Sequence, residues 1–235
     1  MITIPHYYYY GFDIYYIILI LPAFIISLFA QIKVSSTFKT FSATSNMSGL
    51  TGAKAAEKVL SSHGVTNVKI ERVNGNLTDH FDPRTKVIRL SDSVYDSTSV
   101  AAVGVAAHEA GHAVQYAESY LPIKLRNTIL PAVNFGSKFS FIAILLGILF
   151  ANDLLVYVGI ALFSFATLFQ IITLPVELNA SKRAMQTIRE QALLSHDEAK
   201  GARKVLNAAA MTYVAAVVMS IAQLLRLLLL SRRRR

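Results

Sequence analysis

Long apolar stretches separated by short polar ones dominate the sequence. An apolar helix needs about 20 residues to cross a bilayer, and four stretches reach that length: residues 14–32, 129–150, 154–174 and 208–230. The first has no positively charged segment before it and no small-residue cleavage site after it, which predicts an anchor and not a signal peptide. Asn152-Asp153 predicts a turn between the second and third stretches, whereas Gln223 and Arg226 weaken the fourth as a full span.

The more polar region between the first two stretches has the pattern of a small α+β unit. Thr51 and Ser99 are predicted helix caps, and Asn74-Gly75 is a turn dipeptide. Apolar residues recur at helical spacing in two segments and alternate with polar residues in two others. The predicted elements are a helix at 52–63, strands at 68–73 and 86–90, and a helix at 100–118.

The helix at 100–118 contains a His-Glu-x-x-His sequence. Because side chains four residues apart lie on one helix face, His108 and His112 can offer imidazole nitrogens to one zinc ion. Glu109 lies about 100° around the helix, close enough to take a proton from a zinc-activated water and pass it to a leaving amine. The motif stands among alanines and valines, where an unpartnered carboxylate is costly, and this setting favours a zinc site over a chance match.

A catalytic zinc site of this kind takes a third protein ligand and leaves one position open. No further histidine follows His112 at short spacing, so the candidates are the later glutamates. Glu118 points elsewhere on the same helix, and Glu190 and Glu198 lie in polar surroundings. Glu177 lies where a span meets the polar phase, with Ser181 one turn further on to contact a ligand imidazole; the alternative is a helix-start carboxylate.

A ligand at Glu177 constrains the topology. His108, His112 and Glu177 must meet on one side of the membrane, so the chain between them crosses it an even number of times. The apolar region at 129–174 is therefore predicted to form a hairpin that turns at Asn152-Asp153.

Composition places the chain among membrane proteins. Hydrophobic residues make up 54% and charged residues 16%, and the mean hydropathy is +0.46. The net charge is +9, but four positive charges are the terminal Arg232–Arg235 and many others flank apolar stretches, so we expect no nucleic-acid partner. The chain contains no cysteine, so zinc would have to be held by histidine and carboxylate.

Two strands ahead of the zinc helix suggest a binding edge for an extended peptide. Asp79 and His80 could then face the cleft, or they could belong to a turn formed by Asp-His-Phe-Asp-Pro. His80, Tyr116 and Arg183 are candidate donors to an oxyanion, and their order of preference stays open.

Several motifs together resemble the YugP-like membrane zinc metallopeptidases. They are Ser-Gly-Leu-Thr-Gly-Ala at 48–53, Asp-His-Phe-Asp-Pro-Arg-x-Lys-Val-x-Arg-Leu-Ser at 79–91, Ala-Ala-His-Glu-Ala-Gly-His-Ala-Val-Gln at 106–115 and Pro-Val-Glu-Leu-Asn-Ala-Ser-Lys-Arg-Ala at 175–184. In layout the family is similar to the HtpX and CAAX-prenyl-protease group. The resemblance implies a glutamate-zinc site with His108, His112 and Glu177 as ligands and Glu109 as base. That group has an aspartate where this chain has Ser181, so the hydrogen bonding around the ligands must differ.

We therefore expect a mostly α membrane protein with about four transmembrane or membrane-associated helices and a small α+β zincin-like catalytic domain that contains a short β-sheet. The expected function is a membrane zinc endopeptidase with one catalytic Zn²⁺, acting on a peptide or protein substrate, possibly a membrane protein. The alternatives are a non-catalytic zinc-containing scaffold or chaperone-like binder and a zinc hydrolase of a non-peptide substrate. The predicted organisation is an anchor at 1–33, a catalytic domain at 34–126, a transmembrane hairpin at 127–174, a helical segment with the third ligand at 175–206, and a hydrophobic helix with a basic tail at 207–235.

Charge asymmetry predicts the orientation in the cell membrane. Three pairs of cations flank spans on the catalytic side, namely Lys33 and Lys39, Lys124 and Arg126, and Lys182 and Arg183. Residues 1–13 and the Asn152-Asp153 turn contain no lysine or arginine. Positive-inside counting therefore predicts a cytoplasmic catalytic domain. The terminal arginines oppose this prediction if the last segment crosses the membrane.

Overall fold

The computed structural model describes residues 14–232, so the Tyr7–Tyr10 cluster and the last three arginines of the tail lie outside the described residues. Within them the chain forms six α-helices and three strands. A π-helical turn, Tyr16–Ile20, leads directly into the first helix. The elements are α1 (Leu21–Ser42), α2 (Gly52–Ser62), β1 (Lys69–Val73), β2 (His80–Asp82), β3 (Val87–Ser91), α3 (Val100–Ala117), α4 (Leu121–Leu149), α5 (Asp153–Glu190) and α6 (His196–Arg232).

Four helical segments are long and apolar enough to cross a membrane: Tyr16–Ser42, Leu121–Leu149, Asp153–Glu190 and His196–Arg232. Their outward surfaces carry many large apolar side chains, and Phe141, Leu149 and Leu154 are each 70% exposed. Such a continuous apolar exterior suits lipid and not water. Together with the small sheet, these helices confirm the predicted fold class.

The long helices pack as antiparallel neighbours. Helices α4 and α5 form the predicted hairpin, and they approach closely at Gly147 and Gly159, where an added Cβ would lie 2.7 Å from the Val156 nitrogen and 2.9 Å from the Ile144 nitrogen, respectively. Small residues permit such backbone contact between membrane helices. Ile20 and Ala23 at the start of α1 pack against Ala222 near the end of α6, so α6 follows α1 through the bundle.

Two long helices continue where the sequence pattern suggested a break. Pro175 ends the apolar stretch in the sequence, yet α5 runs through it as one helix of 38 residues. Likewise, α6 unites the polar segment that follows Ser195 with the last apolar stretch. Pro175 is tolerated because α5 packs against other helices both before and after it: Gly159 contacts α4, and Ala180 contacts α3.

The polar unit is built around α3. Ser99 caps its first turn through the Ala102 nitrogen at 3.1 Å, and Thr51 caps α2 through the Lys54 nitrogen at 3.3 Å. Alanine and valine side chains of α3 pack on α2, β3, the polar end of α5 and the first turns of α6 in one buried core. The zinc-motif helix is therefore the centre of this unit.

The sheet has three strands in the order β1-β3-β2, one more strand than the sequence pattern predicted. Strands β1 and β3 are parallel, with Lys69 opposite Val87, whereas β2 and β3 are antiparallel, with Phe81 opposite Ile88. The Asp-His-Phe-Asp-Pro run supplies both β2 and the start of the following turn, in which Asp82 accepts hydrogen bonds from the Arg84 nitrogen and the Thr85 hydroxyl. Strand β2 is the sheet edge beside α3.

We predict that Gly111→Ala destabilises the protein, because the new Cβ would lie 2.7 Å from the Ala180 carbonyl oxygen of α5. Backbone cannot move aside cheaply, so α3 and α5 would separate, at a cost of about 1–3 kcal/mol. Thermal unfolding in detergent measures the effect. Gly104→Ala on the same helix is the control, since its Cβ would lie 3.4 Å from Ala202; equal stability of the two variants would refute this account of the crossing.

Candidate metal centre

His108 and His112 lie one turn apart on α3 and face the polar end of α5. Their ring centroids are 4.7 Å apart, and the rings are nearly perpendicular. Both side chains are largely buried, with 13% and 10% of their surface exposed. The two imidazoles therefore point into one small space that solvent reaches only from one side.

The carboxylate of Glu177 completes this space from α5. Its Oε2 atom lies 3.3 Å from Nε2 of His108 and 3.3 Å from Nε2 of His112. All three ligand atoms lie within 4.8 Å of one another. Zinc bound tetrahedrally at 2.0–2.2 Å places neighbouring ligand atoms about 3.3–3.6 Å apart. The three residues thus fit one zinc ion.

Arg126 of α4 fixes the other oxygen of this carboxylate. Its guanidinium donates a hydrogen bond of 2.9 Å to Glu177 Oε1, and Glu177 is only 4% exposed. Because Oε1 is engaged, the carboxylate presents a single oxygen to the two imidazoles. A buried charge of this kind needs such a partner.

A buried glutamine sets the tautomer of His112. Gln115 donates from its amide nitrogen to the Val176 carbonyl at 2.8 Å and to Asn179 Oδ1 at 2.9 Å. Its carbonyl oxygen must then accept from Nδ1 of His112, 3.0 Å away. The proton is held on Nδ1, and Nε2 keeps a free lone pair for a metal.

Ser181 has the corresponding place beside His108. Its hydroxyl lies 3.1 Å from Nδ1 of that imidazole, so a neutral side chain orients the ring where the broader group places an aspartate. Either the Ser181 hydroxyl or Nδ1 of His108 can be the donor in this hydrogen bond. When Nδ1 carries the proton, Nε2 of His108 keeps a free lone pair for a metal.

Glu109 lies beside the three ligand residues without entering the cluster. Burial is the largest influence and raises the pKa of Glu109 to about 7, and the nearby carboxylates of Glu177 and Asp79 act in the same direction. The backbone N–H of Phe81 in β2 donates to the Glu109 carboxylate. The side chain is therefore held by the edge strand and titrates near neutrality.

A cavity of about 280 Å³ opens in front of the cluster. Asp79 and His80 line it from the sheet side, and Tyr213 lines it from α6. Asp79 accepts from the Ser91 backbone at 2.8 Å, and burial raises its pKa. The remaining walls of the cavity come from α3, α4 and α5, and from Phe81 and Pro83. Water and a substrate can reach the cluster through this opening.

Two predicted donors lie away from the cavity. Tyr116 packs edge-on against Phe81, with ring centroids 6.1 Å apart. Arg183 donates to Glu118 at 2.5 Å and to Asn179 at 2.8 Å, so it links α5 to the end of α3. The structure thus brings Asp79, His80 and Ser181 to the site and leaves Tyr116 and Arg183 outside it.

The other glutamates considered as ligands have different partners. Glu118 is the residue after α3 and pairs with Arg183. Glu190 accepts from Gln186 at 2.8 Å. Glu198 forms a capping box with Ser195 at the start of α6.

The sequence pattern missed several residues of the site: Arg126, Gln115, Asn179 and Tyr213. Arg126 looked like a membrane-flanking charge, and Tyr213 lies within an apolar stretch. Gln115 offered a usable signal, since it is a lone amide three residues after His112 on a helix of small apolar residues, where a buried polar group requires a partner.

The comparisons with known proteins agree with this geometry. Residues 16–232 match the family described as "Putative neutral zinc metallopeptidase". The chain belongs to this family. It is also 46% identical, over 92% of its own length and 96% of the relative's, to the "Putative membrane protease YugP" of Bacillus subtilis (strain 168). No solved structure matches it.

Family membership confirms the resemblance seen in the motifs at 48–53, 79–91, 106–115 and 175–184. It also confirms the predicted zinc cofactor, because the family is one of zinc peptidases and this chain contains a cluster that could hold one metal ion. The name of the relative is that of a "putative membrane protease", and the four apolar helices support membrane association of this chain.

We predict that Glu177→Ala lowers zinc occupancy as severely as His108→Ala, because each variant removes one of three ligand atoms. Metal analysis of the purified full-length protein measures the effect. Glu118→Ala is the matched control, since it removes a carboxylate from the end of α3 without touching the cluster. Full zinc in Glu177→Ala would exclude this residue as a ligand.

Proposed function

We propose that the protein is a membrane-embedded zinc endopeptidase that hydrolyses peptide bonds, with Glu109 as general base. The observation that supports this most strongly is the arrangement of two carboxylates around one cavity. Glu177 points at the two imidazoles, while Glu109 stands beside them with a pKa of about 7. This is the division between ligand and base that hydrolysis requires.

His108, His112 and Glu177 would hold the zinc ion, and when bound it supplies Lewis-acid polarisation of the scissile carbonyl and of the attacking water. Glu109 takes the proton of that water as its oxygen attacks the carbonyl carbon. Glu109 then returns the proton to the amine nitrogen as the C–N bond breaks. His80 lines the cavity and can donate a hydrogen bond to the developing oxyanion.

Strand β2 is placed to bind the substrate backbone. It pairs with β3 on one side only and ends the sheet in the order β1-β3-β2. His80 and Phe81 of this strand also line the cavity. An extended peptide that follows this edge would pass over the metal cluster.

A purely structural zinc site is supported less well. Structural sites are usually closed by four protein ligands, whereas the described residues bring three ligand side chains together in front of an open cavity. A structural role also gives no reason for a buried carboxylate at Glu109. Hydrolysis of a non-peptide substrate would not need the exposed edge of β2.

We predict that Glu109→Gln retains zinc and the fold but lowers kcat at least about 100-fold, because only the proton-transfer group is lost. Turnover of a generic unfolded protein and zinc content are measured on the same samples, with Glu118→Gln as control. Near-wild-type turnover in Glu109→Gln would remove this residue from the mechanism. Zinc-loaded wild type without any turnover would favour the scaffold.

The proposed location is the cell membrane, with four crossings and the catalytic unit in the cytoplasm. Packing of α6 along α1 puts Arg232 at the same end of the bundle as the start of α1, so the basic tail opposes this orientation. More cations flank the catalytic end of the bundle, however, and α6 adds Lys200, Arg203 and Lys204 to them. Positive-inside counting still favours the cytoplasm.

We predict that a cysteine at Ser62 reacts with an impermeant maleimide only after cells are permeabilised. Ser62 ends α2 and is exposed, and the natural chain has no cysteine to interfere. Ala151→Cys in the hairpin turn at the other end is the control, expected to react in intact cells. Strong labelling of Ser62→Cys in intact cells would reverse the orientation.

A further inference from the structure

The outer faces of α5 and α6 enclose a second concave surface, separate from the cavity of the metal centre. This surface, which we name the α5–α6 groove, has a volume of about 590 Å³ and shares no lining residue with that cavity. The residues that matter to its chemistry are Ser181, Lys182, Arg189, Arg203, Leu206 and Asn207.

The groove is strongly basic. Lys182, Arg189 and Arg203 converge on it from two helices, and within residues 14–232 none of the three forms an ion pair with an acidic side chain. One carboxylate, Glu190, also lines the groove, and it accepts a hydrogen bond from Gln186. Three cations against one anion leave the groove with a net positive charge that suits an anionic ligand.

Helix geometry places the groove at the level of lipid headgroups. Lys182 lies about 44 Å along α5 from Asp153, and Arg203 lies about 44 Å along α6 from Arg232. A bilayer with its headgroups is about 40–45 Å thick. Two cations on antiparallel helices therefore reach the same height, where the membrane surface would be.

The wall of the groove on the membrane side is apolar. Leu178 is 47% exposed and Ala210 is partly exposed, whereas Leu206 is buried and forms the floor of the groove. The cations Lys182, Arg189 and Arg203 lie further from the membrane than these residues. An apolar lower part under a basic upper part matches an acyl chain joined to a phosphate headgroup and does not match a freely soluble anion.

The neighbouring groove between α1 and α6 repeats this chemistry. Lys33 and Lys204 line it, together with Met211 on the membrane side, and Asn207 borders both grooves. Lys204 also lies over the ring of Phe41, 6.0 Å from its centroid. Basic side chains thus line both grooves at the catalytic end of α6.

We propose that the α5–α6 groove binds the headgroup of an anionic phospholipid from the leaflet on the catalytic side. Lys182 and Arg203 contact the phosphate, Arg189 adds positive charge about two turns further along α5, and Leu178 contacts the first part of an acyl chain. The groove also reaches the metal centre, because the Ser181 hydroxyl that lines it bonds to Nδ1 of His108. A bound lipid therefore lies one side chain away from a metal ligand.

The test uses full-length protein in nanodiscs made of equal parts phosphatidylglycerol and phosphatidylcholine. Native mass spectrometry of the released protein counts the bound lipids, and we expect the wild type to retain phosphatidylglycerol preferentially. Arg203→Gln should reduce this preference about fivefold, and the triple variant Lys182→Gln, Arg189→Gln, Arg203→Gln should abolish it. The control variant Lys54→Gln, Lys58→Gln, Lys69→Gln loses the same charge on the surface of the catalytic unit and should keep the preference.

Three results would overturn the proposal. The first is a wild type that retains both lipids equally, and the second is a triple variant that still prefers phosphatidylglycerol. The third is an equal loss of this preference in the control variant, which would indicate a diffuse charge effect. Unfolding temperature and zinc content verify that the triple variant is folded. In lipid-free detergent, inorganic phosphate that raises the unfolding temperature of the wild type but not of the triple variant would identify a free-anion site. Displacement of bound lipid by an acidic peptide would identify a substrate subsite. Either result also contradicts the lipid assignment. None of these readouts depends on peptidase activity.

Discussion

The buried carboxylate of Glu177 is the constraint on which the arrangement of the helices depends. A carboxylate with 4% of its surface exposed is unstable unless opposite charge or hydrogen-bond donors surround it. Its partners come from three other helices: Arg126 of α4 holds one oxygen, the Tyr213 hydroxyl of α6 donates a hydrogen bond to the carboxylate, and the imidazoles of α3, which would share the zinc ion with it, face the other oxygen. The close contact between Gly111 and Ala180 brings α3 and α5 together. Charge compensation and metal-site geometry therefore require the same helix packing.

The same constraint sets the height of the site relative to the proposed membrane. Measured along their helices from the hairpin turn, Arg126 and Glu177 both lie about 35 Å away, slightly more than the hydrocarbon thickness of about 30 Å. The ion pair thus closes the hairpin at the point where the helices leave lipid. Tyr213 reaches the cavity from α6 at this end. A substrate would meet the metal centre at the membrane surface, with the edge of β2 above it.

Local chemistry in the sequence predicted the elements better than it predicted their connections. His108, His112 and the caps at Thr51 and Ser99 depend on neighbours within four residues, so their spacing is visible in the sequence. Continuity of α5 through Pro175 depends instead on packing against α3 and α4, which no local pattern contains. The role of Arg126 escaped prediction for the same reason. Its partner Glu177 is distant in sequence, and the residues around a membrane-flanking arginine do not show whether it pairs with a buried carboxylate. Strand β2 is too short for alternation to reveal it.

The two carboxylates of the site show how one fold could separate the two chemical roles that we propose. Glu177 stands among Arg126 and the imidazoles, an environment that favours the charged form and suits a ligand. Glu109 is only one residue from His108, yet it turns towards the edge strand, where burial raises its pKa to about 7 although His108 and the Phe81 N–H favour its charged form. An acid that is easily protonated is a poor permanent partner for a cation but an effective carrier of protons at neutral pH. Because the difference arises from Arg126 and β2, which are remote in sequence from the motif, the His-Glu-x-x-His spacing supplies the groups and the surrounding fold assigns their roles.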